Sequence, residues 1–315
     1  MYFLGIDLGG TNIAAGIVDQ NYHLTIKTNR KTRIPCTNDE LCGQLAAAAL
    51  ETLKKAGLSL EDIPWIGIGS PGTVNSETGT IEFSNNLHID HFPLQSMLED
   101  KLHKKVILEN DANAAAYGEY KAGALKGARN ALAITLGTGV GSGIIIEGKI
   151  YAGSNFAGGE MGHTVIVAGG RHCTCGRYGC WETYASATGL IVSTLQTMAL
   201  DHTSAMWQIV GGDLNKVDGR TAFQAMRAGD AAAKTVVDQY ISYLSCGLLN
   251  CINILQPDIL CVGGGIGNEG EALLTPVREI IDRESYSKYS TKQTKICRAL
   301  LGNDAGIVGA ALLGE

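Results

Sequence analysis

The 315-residue chain has no apolar run near the roughly 18–20 residues that a membrane-spanning helix needs. It also has no excess of basic residues: 31 Asp and Glu outweigh 25 Lys and Arg, for a net charge of −6. That balance argues against nucleic-acid binding and against attachment to an acidic membrane surface. The N-terminus lacks the basic region of a signal peptide and reaches Asp7 at once. We therefore expect a cytoplasmic protein with neither nucleic-acid nor membrane partners.

Two common nucleotide-binding signatures are missing or weak. No G-x-x-x-x-G-K-[ST] segment is present, which excludes a P-loop enzyme. One G-x-G-x-x-G pattern, at Gly265, Gly267 and Gly270, stands late in the chain, and no acidic residue with a following strand appears at the expected distance. A dinucleotide-binding dehydrogenase is therefore disfavoured.

Glycine is abundant, with 41 residues against only six prolines, and 45% of the chain is hydrophobic, so disorder is not indicated. Two glycine turns resemble each other: Ile6–Thr11 and Ile134–Gly139 share Ile, Leu and Gly at an offset of 128 positions. Each stands between two apolar segments predicted as strands, which indicates a duplicated strand–turn–strand unit. We place the lobe boundary near residue 115 because of this duplication.

Tight glycine turns let backbone N–H groups approach phosphate oxygens, so we predict that both turns bind phosphate; two ordinary hairpins are the alternative. Thr11 and Thr138 add hydroxyl donors. Asp7, at the end of the first strand, is suited to hold Mg²⁺ through water. A third turn, Gly263–Gly265, lets a nucleotide base or ribose lie against backbone.

Nine cysteines are present, an odd number. Cys173, Cys175 and Cys180 lie within eight positions, and the other six are predicted to be small core residues. Together with His163, the cluster makes a three-cysteine, one-histidine set typical of a closed, structural zinc site. His172, next to the first of these cysteines, is the alternative imidazole.

Three carboxylates stand beside these special loops. Asp111 follows a predicted buried strand and Asn110, Glu160 lies three residues before His163, and Glu182 follows the cysteine cluster. A sugar needs several hydrogen-bonding groups on a rigid frame, and a metal-tied loop supplies one. The loop is therefore a candidate sugar-binding element.

The apolar periodicity predicts an α/β protein. Predicted strands cover residues 2–8, 12–19, 23–33, 65–69, 106–109, 131–136 and 258–262. Predicted helices cover residues 39–56, 94–103, 112–122, 184–201, 221–255, 269–284 and 305–313.

The sequence resembles the ROK family (repressor, open reading frame, kinase). The resemblance rests on six motifs in family order, spread over nearly the whole chain. They are Asp7–Asn12, Ser70–Thr73, Glu109–Asn113, Leu136–Gly141, Gly159–His163 and Cys173–Glu182. Within the family, the chain is most similar to bacterial glucokinases.

The resemblance implies the two-lobed sugar kinase/actin/Hsp70-like fold, a duplicated ribonuclease H-like fold, with a structural zinc loop. The small lobe would comprise residues 1–115 plus about 303–315, and the large lobe residues 116–302. The implied activity is ATP-dependent phosphorylation of a hexose, with glucose converted to glucose 6-phosphate. ATP, Mg²⁺ and structural Zn²⁺ are the implied cofactors, and a homodimer or homotetramer is the implied assembly.

The resemblance also assigns roles to individual residues. Asp111 matches the catalytic base. The implied sugar ligands are Gly72, Asn85, Asn110, Asp111, Glu160, His163 and Glu182. The implied zinc ligands are His163, Cys173, Cys175 and Cys180, which favours His163 over His172. The expected nucleotide contacts are Asp7, Gly9, Gly10, Thr11, Asn12, Thr138, Gly139, Gly263, Gly264 and Gly265. Asn12 stands where the family usually has Lys, so no charged contact to ATP is expected from this position.

Two alternatives stay open. One is an N-acetylhexosamine kinase acting on N-acetylglucosamine or N-acetylmannosamine, since hydroxyl stereochemistry is read by fine positioning. The other is a sugar-binding regulator without catalysis. Family repressors carry an N-terminal DNA-binding segment, whereas this sequence opens on the first phosphate strand, and we expect an enzyme.

Overall fold

A computed structural model describes all 315 residues and divides them into two compact units. Unit 1 contains Met1–Ala133, Gly143–Gly159 and Ala299–Glu315. Unit 2 contains Ile134–Ser142 and Glu160–Arg298. The functional lobe division near residue 115 stays a prediction.

The strands agree with the α/β class predicted from the sequence. They are β1 (Tyr2–Leu8), β2 (Asn12–Asp19), β3 (Leu24–Lys31), β4 (Ile66–Ser70), β5 (Thr73–Asn75), β6 (Thr80–Ser84), β7 (Ile89–Phe92), β8 (Val106–Asn110), β9 (Ala131–Leu136), β10 (Val140–Ile146), β11 (Lys149–Ile150), β12 (Ile259–Gly263) and β13 (Lys295–Arg298).

Eleven α-helices separate and cover the strands. They are α1 (Asn38–Ala56), α2 (Leu94–Leu102), α3 (Asp111–Ala122), α4 (Glu182–Ala185), α5 (Ala187–Leu200), α6 (Met206–Ile209), α7 (Thr221–Arg227), α8 (Ala231–Leu255), α9 (Gly264–Gly267), α10 (Glu271–Glu284) and α11 (Ala305–Ala311). None of the helices has both the length and the apolar composition needed to cross a membrane.

The two five-stranded sheets share one topology. The first runs in the order β3-β2-β1-β4-β8 and the second in the order β11-β10-β9-β12-β13. In the first, β1 pairs antiparallel with β2 and parallel with β4, so the turn after β1 and the loop after β4 leave from one end of the sheet. The repeated order confirms the predicted duplication. A third sheet, β5-β6-β7, was not predicted, since its strands have only three to five residues.

Local sequence explains where the main helix of unit 1 begins and ends. Thr37 accepts the N–H of Glu40 while the Glu40 carboxylate accepts the N–H of Thr37, a reciprocal capping box. Gly57, with φ of 68°, ends α1 in the left-handed conformation that glycine adopts without strain. The buried face of α1, including Leu41, Leu45 and Leu53, packs into the core beside β1 and β2.

Helices α3 and α11 approach very closely in unit 1. A Cβ on Gly309 would lie 1.6 Å from the Ala114 carbonyl oxygen, and one on Gly118 would lie 2.4 Å from that of Ala305. Small residues are therefore required at this crossing. The contact fixes the helix that begins at Asp111 against the end of the chain.

Two predicted long helices are interrupted, and the prediction of continuous helices was wrong there. The segment 184–201 breaks at Ser186, which is extended and caps α5 by accepting the N–H of Gly189. The segment 221–255 breaks at Gly229, with φ of 90°, and α8 restarts after Asp230, whose carboxylate accepts the N–H of Ala233. Ser186 is buried among apolar residues, which hid its cap, whereas the glycine followed by Asp230 is a local stop and start signal that the prediction did not use.

Candidate active site and metal centre

The first glycine turn, in unit 1, is fixed by backbone hydrogen bonds. The N–H of Gly9 donates to the carbonyl of Asn12 (2.9 Å). Thr32, just beyond β3, donates its hydroxyl to the carbonyl of Gly9 (2.6 Å) and its N–H to the carbonyl of Thr11 (2.8 Å). The turn therefore has a fixed shape, as a backbone cradle for phosphate needs.

Asp7, at the end of β1, carries an unusual carboxyl group. Burial, and next the charge of Asp111, raise its pKa from 3.8 to about 6, although Lys27 lowers it. A carboxyl group whose pKa is raised this far is a candidate functional group. A bound cation would offset both the loss of hydration of this carboxylate and its repulsion from Asp111. Carboxylate oxygens are also the ligands that Mg²⁺ prefers.

Asp111 is the first residue of α3, where the helix dipole favours a negative charge. Its Oδ1 accepts the N–H of Ala112 (2.8 Å), and burial raises the pKa of the carboxyl above its ordinary value. A carboxylate whose pKa is raised by partial burial is a stronger proton acceptor than a fully exposed one. The geometry therefore suits a general base.

Asn110 links Asp111 to the loop after β4. Its side-chain oxygen caps α3 by accepting the N–H of Ala112 and of Asn113, while its Nδ2 donates to the carbonyl of Gly72 (3.0 Å). Gly72 has φ of 104°, and a Cβ there would lie 2.1 Å from the Phe83 carbonyl oxygen. Only glycine suits this position.

Sequence reasoning missed two residues that shape this part of unit 1. Glu109 is 7% exposed and accepts hydrogen bonds from the Asn113 side chain (3.0 Å) and the Asn110 N–H (2.8 Å), so it holds the strand–helix junction. The carbonyl oxygen of Asn86 would lie 3.0 Å from a Cβ on Gly10. The loop of Asn85, an expected sugar ligand, therefore lies against the first glycine turn.

Unit 2 contains the second glycine turn, and Glu182 holds it. The Val140 N–H donates to Glu182 Oε2 (3.0 Å), and a Cβ on Gly139 would lie 2.0 Å from the same oxygen. The carbonyl of Gly137 accepts the N–H of Ala187 (2.8 Å). One carboxylate oxygen of Glu182 is thus committed to the turn, a role that sequence reasoning did not assign.

The third glycine turn lies in the same unit. Gly264 has φ of 81°, and a Cβ there would lie 2.4 Å from the Leu136 carbonyl oxygen, at the end of β9. Gly263 ends β12 and Gly264 begins the short helix α9. The two predicted nucleotide-binding turns of unit 2 are therefore in direct backbone contact.

The four predicted metal ligands converge in unit 2. The ligand atoms of His163, Cys173, Cys175 and Cys180 all lie within 4.8 Å of one another. Cys173 Sγ is 3.5 Å from His163 Nδ1, and Cys175 Sγ is 3.6 Å from Cys180 Sγ. A tetrahedral zinc with bonds of ~2.3 Å to sulfur separates its sulfurs by about 3.8 Å. The cluster can therefore hold a metal ion of this size.

Burial raises the pKa of the Cys180 thiol to about 12, so a thiolate at this position needs a cation beside it. His172, the alternative imidazole, lies outside the cluster and packs its ring edge-on against Tyr178 instead (centroids 5.2 Å apart).

Glu160 and His163 bracket one short turn. The His163 N–H donates to the Glu160 carbonyl (3.1 Å), and the Met161 N–H donates to Ser142 Oγ (3.2 Å). A Cβ on Gly162 would lie 2.3 Å from the Val140 carbonyl oxygen. The segment thus lies directly on the second glycine turn.

Comparison with known proteins agrees with the resemblance found in the sequence. A family model described as "ROK family" matches residues 3–315. The chain belongs to the ROK family. A ROK relative, the glucokinase of Thermotoga maritima, is 36% identical over 310 residues, which cover 98% of this chain and 95% of the relative.

Two solved structures are similar over the full length. The ROK family glucokinase from Streptomyces griseus in complex with glucose and AMPPNP is 34% identical, with a TM-score of 0.83 over 99% of this chain and 98% of that one. The ROK hexokinase from Thermus thermophilus is 32% identical, with a TM-score of 0.80 over 99% and 97% of the two chains. The predicted fold class is thereby confirmed.

Proposed function

We propose that this ROK protein is an ATP-dependent hexose kinase that converts glucose to glucose 6-phosphate. Full-length similarity to glucokinases at about one-third identity supports the substrate and the donor. The observation that carries the proposed chemistry is the half-buried Asp111 carboxylate at the start of α3, held beside Asn110 and the Gly72 turn.

Asp111 acts as the general base in this proposal. A sugar hydroxyl is a weak nucleophile, and the Asp111 carboxylate accepts its proton as the oxygen attacks the terminal phosphorus of ATP. The O–H bond breaks, the new P–O bond forms, and ADP leaves with the electron pair of the broken P–O bond. Asn110 keeps Asp111 in place through the helix cap.

The sugar and the nucleotide are assigned to the residues expected from the sequence. The proposed sugar ligands are Gly72, Asn85, Asn110, Asp111, Glu160, His163 and Glu182. The proposed nucleotide-binding residues are Asp7, Gly9, Gly10, Thr11, Asn12, Thr138, Gly139, Gly263, Gly264 and Gly265. Since the Val140 N–H occupies Glu182 Oε2, we assign the sugar hydroxyl to Oε1, which otherwise meets only the long contact with Cys173 Sγ (4.0 Å).

Two metals complete the proposal. Asp7 would hold Mg²⁺ through water, and the bound cation would supply positive charge beside the phosphates. His163, Cys173, Cys175 and Cys180 hold a structural zinc, and the spacing of their ligand atoms supports this assignment. Four protein ligands leave no open position, so this site orders the loop and performs no chemistry itself.

Three further properties belong to the same proposal. The lobes comprise residues 1–115 plus about 303–315, and residues 116–302. The protein assembles as a homodimer or homotetramer, which light scattering after size-exclusion chromatography tests. It works in the reducing cytoplasm, where zinc-binding thiols remain unpaired.

A coupled assay of ADP release tests the activity. ADP release should depend on glucose and exceed that with N-acetylglucosamine, N-acetylmannosamine or no sugar. Asp111→Asn should lower kcat by about 10²–10⁴-fold, the usual contribution of a general base, while glucose binding measured by calorimetry persists.

The control for Asp111→Asn is Asp282→Asn, an exposed change on α10 that should leave kcat unchanged. Near-normal kcat in Asp111→Asn would exclude the assigned base. Absence of sugar-dependent ADP release with every hexose would instead favour a sugar-binding regulator.

A further inference from the structure

The chain is acidic overall but carries one basic stretch. Between Asp19 and Asp39 it has four basic residues, Lys27, Arg30, Lys31 and Arg33, and no acidic residue. Lys27 forms an ion pair with Asp304. The other three line one cavity of about 490 Å³ in unit 1, formed by the end of β3 and one face of α1.

Two of these cations have no anionic partner. Arg30 forms an ion pair with Glu51 on α1 (3.4 Å), whereas Lys31 and Arg33 are exposed and form no ion pair. Three cations against the single carboxylate of Glu40 leave the lining of this concave site with a net positive charge, and the resulting field attracts anions. A cavity of this size matches those that bind small molecules.

The backbone that carries the cations is fixed. Arg33 exchanges two hydrogen bonds with the Gln44 side chain on α1, at 2.8 and 3.1 Å. Thr32, between the two unpaired cations, is bonded to Gly9 and Thr11 of the first glycine turn. The charges are therefore presented from an ordered segment, which lowers the entropic cost of binding.

The other residues that line the cavity indicate what the uncharged part of the ligand is like. Ile13 and Pro35 supply apolar surface, and Gly43 leaves open space where a side chain would stand. Glu40 uses Oε2 for its capping box with Thr37, so Oε1 can accept a hydrogen bond from a hydroxyl group. A ligand with an anionic group and a hydroxylated carbon skeleton would fit this lining. The anionic group would meet the cations, the skeleton would lie against the apolar surface, and a hydroxyl would donate to Glu40.

We propose that this cavity is a second binding site, specific for a hydroxylated phosphate monoester, that is, a sugar phosphate. The Arg guanidinium groups and Lys31 bind the phosphate through charge-assisted hydrogen bonds, and Glu40 accepts from a hydroxyl of the carbon skeleton. None of the residues that line it is a proposed sugar or nucleotide ligand, and its existence is tested by binding, whether or not the chain proves to be a kinase.

The test is calorimetric titration of glucose 6-phosphate into the full-length protein, with glucose, Mg²⁺ and AMPPNP present to occupy the proposed active site. We expect one saturable site per chain. The double variant K31Q/R33Q should weaken it by at least about tenfold, because two charge-assisted contacts are lost. The matched control K105Q/K126Q removes two exposed charges elsewhere in unit 1 and should change affinity less than about twofold.

Further titrations define the ligand. Glucose alone should not bind at this site. Inorganic phosphate should bind more weakly than glucose 6-phosphate, because it lacks the sugar hydroxyl groups that Glu40 would contact. Thermal unfolding should show both double variants folded like the native chain. Absence of a saturable site, or equal binding by native and K31Q/R33Q proteins, would overturn the proposal.

Discussion

The ionised Asp7 carboxylate should destabilise the fold. Replacing Asp7 with an uncharged residue measures how much free energy of unfolding this charge removes. Burial and the neighbouring Asp111 raise the pKa of Asp7 from 3.8 to about 6, so the folded chain binds this proton more tightly than the unfolded chain. The free energy of unfolding therefore falls as the pH rises from about 4 to 6. At 1.36 kcal/mol per pKa unit, ionised Asp7 costs up to about 3 kcal/mol above pH 6.

Asp7→Asn removes the charge and keeps the shape of the side chain. It should raise the free energy of unfolding by up to about 3 kcal/mol at pH 7.5, and by only about 1 kcal/mol at pH 4.5, where native Asp7 is mostly protonated. Urea unfolding in Mg²⁺-free buffer at pH 7.5, 6 and 4.5 measures this difference. The control is Asp100→Asn, an exposed change that should shift stability by less than about 0.5 kcal/mol at each pH.

The same variant should lose kinase activity, because the proposed magnesium site loses its carboxylate. In the native enzyme, activity should fall as the pH drops below about 6, while stability contributed by Asp7 rises. A gain in stability that is equal at pH 7.5 and pH 4.5 would refute the reasoning, since packing and not charge would then be its source. No gain at either pH would refute it as well.

Three further predictions concern the metal loop, a glycine turn and a helix crossing. Cys175→Ser should lose zinc, measured by elemental analysis, and raise the KM for glucose; retained zinc with unchanged KM would contradict the assignment. Gly139→Ala should lower kcat/KM for ATP at least about tenfold, since its Cβ would displace the Glu182 carboxylate from the Val140 N–H and release the turn, whereas Gly137→Ala, with open space, should change it little. Gly309→Ala should cost about 3 kcal/mol or more in urea unfolding, whereas Gly43→Ala should stabilise by about 0.5–1 kcal/mol.

Features encoded by short spacing were predictable from the sequence. The two glycine turns, the capped start of α1 and the convergence of Cys173, Cys175 and Cys180 all depend on residues a few positions apart. The duplication was visible for the same reason, because each copy of the turn repeats a short local pattern. The repeated strand order of the two sheets follows from it.

Features that depend on distant partners were not predictable. Thr32 fixes a turn more than twenty positions earlier, and Asn86 lies against Gly10, yet nothing local marks either residue. Glu109 appears in a motif, but its task of holding Asn113 depends on the angle at which β8 enters α3. The break at Ser186 was hidden because this capping residue is itself buried among apolar neighbours, whereas the break before Asp230 does carry a local signal, a glycine followed by a capping aspartate.

Glu182 connects the cluster of candidate metal ligands to the second glycine turn. The loop that carries these ligands therefore has a second role in the proposed enzyme, besides carrying sugar ligands. The residue stands two positions after Cys180, and its Oε1 lies 4.0 Å from Cys173 Sγ while Oε2 accepts the Val140 N–H. A metal would deprotonate Cys173, so the coupling is through Cys180, whose carbonyl accepts the N–H (3.1 Å) and the hydroxyl (2.7 Å) of Thr183, directly after Glu182. A metal that fixes Cys180 therefore also restrains the backbone from which the Glu182 carboxylate shapes the turn. Because Gly162, beside His163, packs on the same turn, the loop contacts it from two positions. Metal binding should consequently order the proposed nucleotide-binding turn of unit 2 as well as the proposed sugar ligands on the loop.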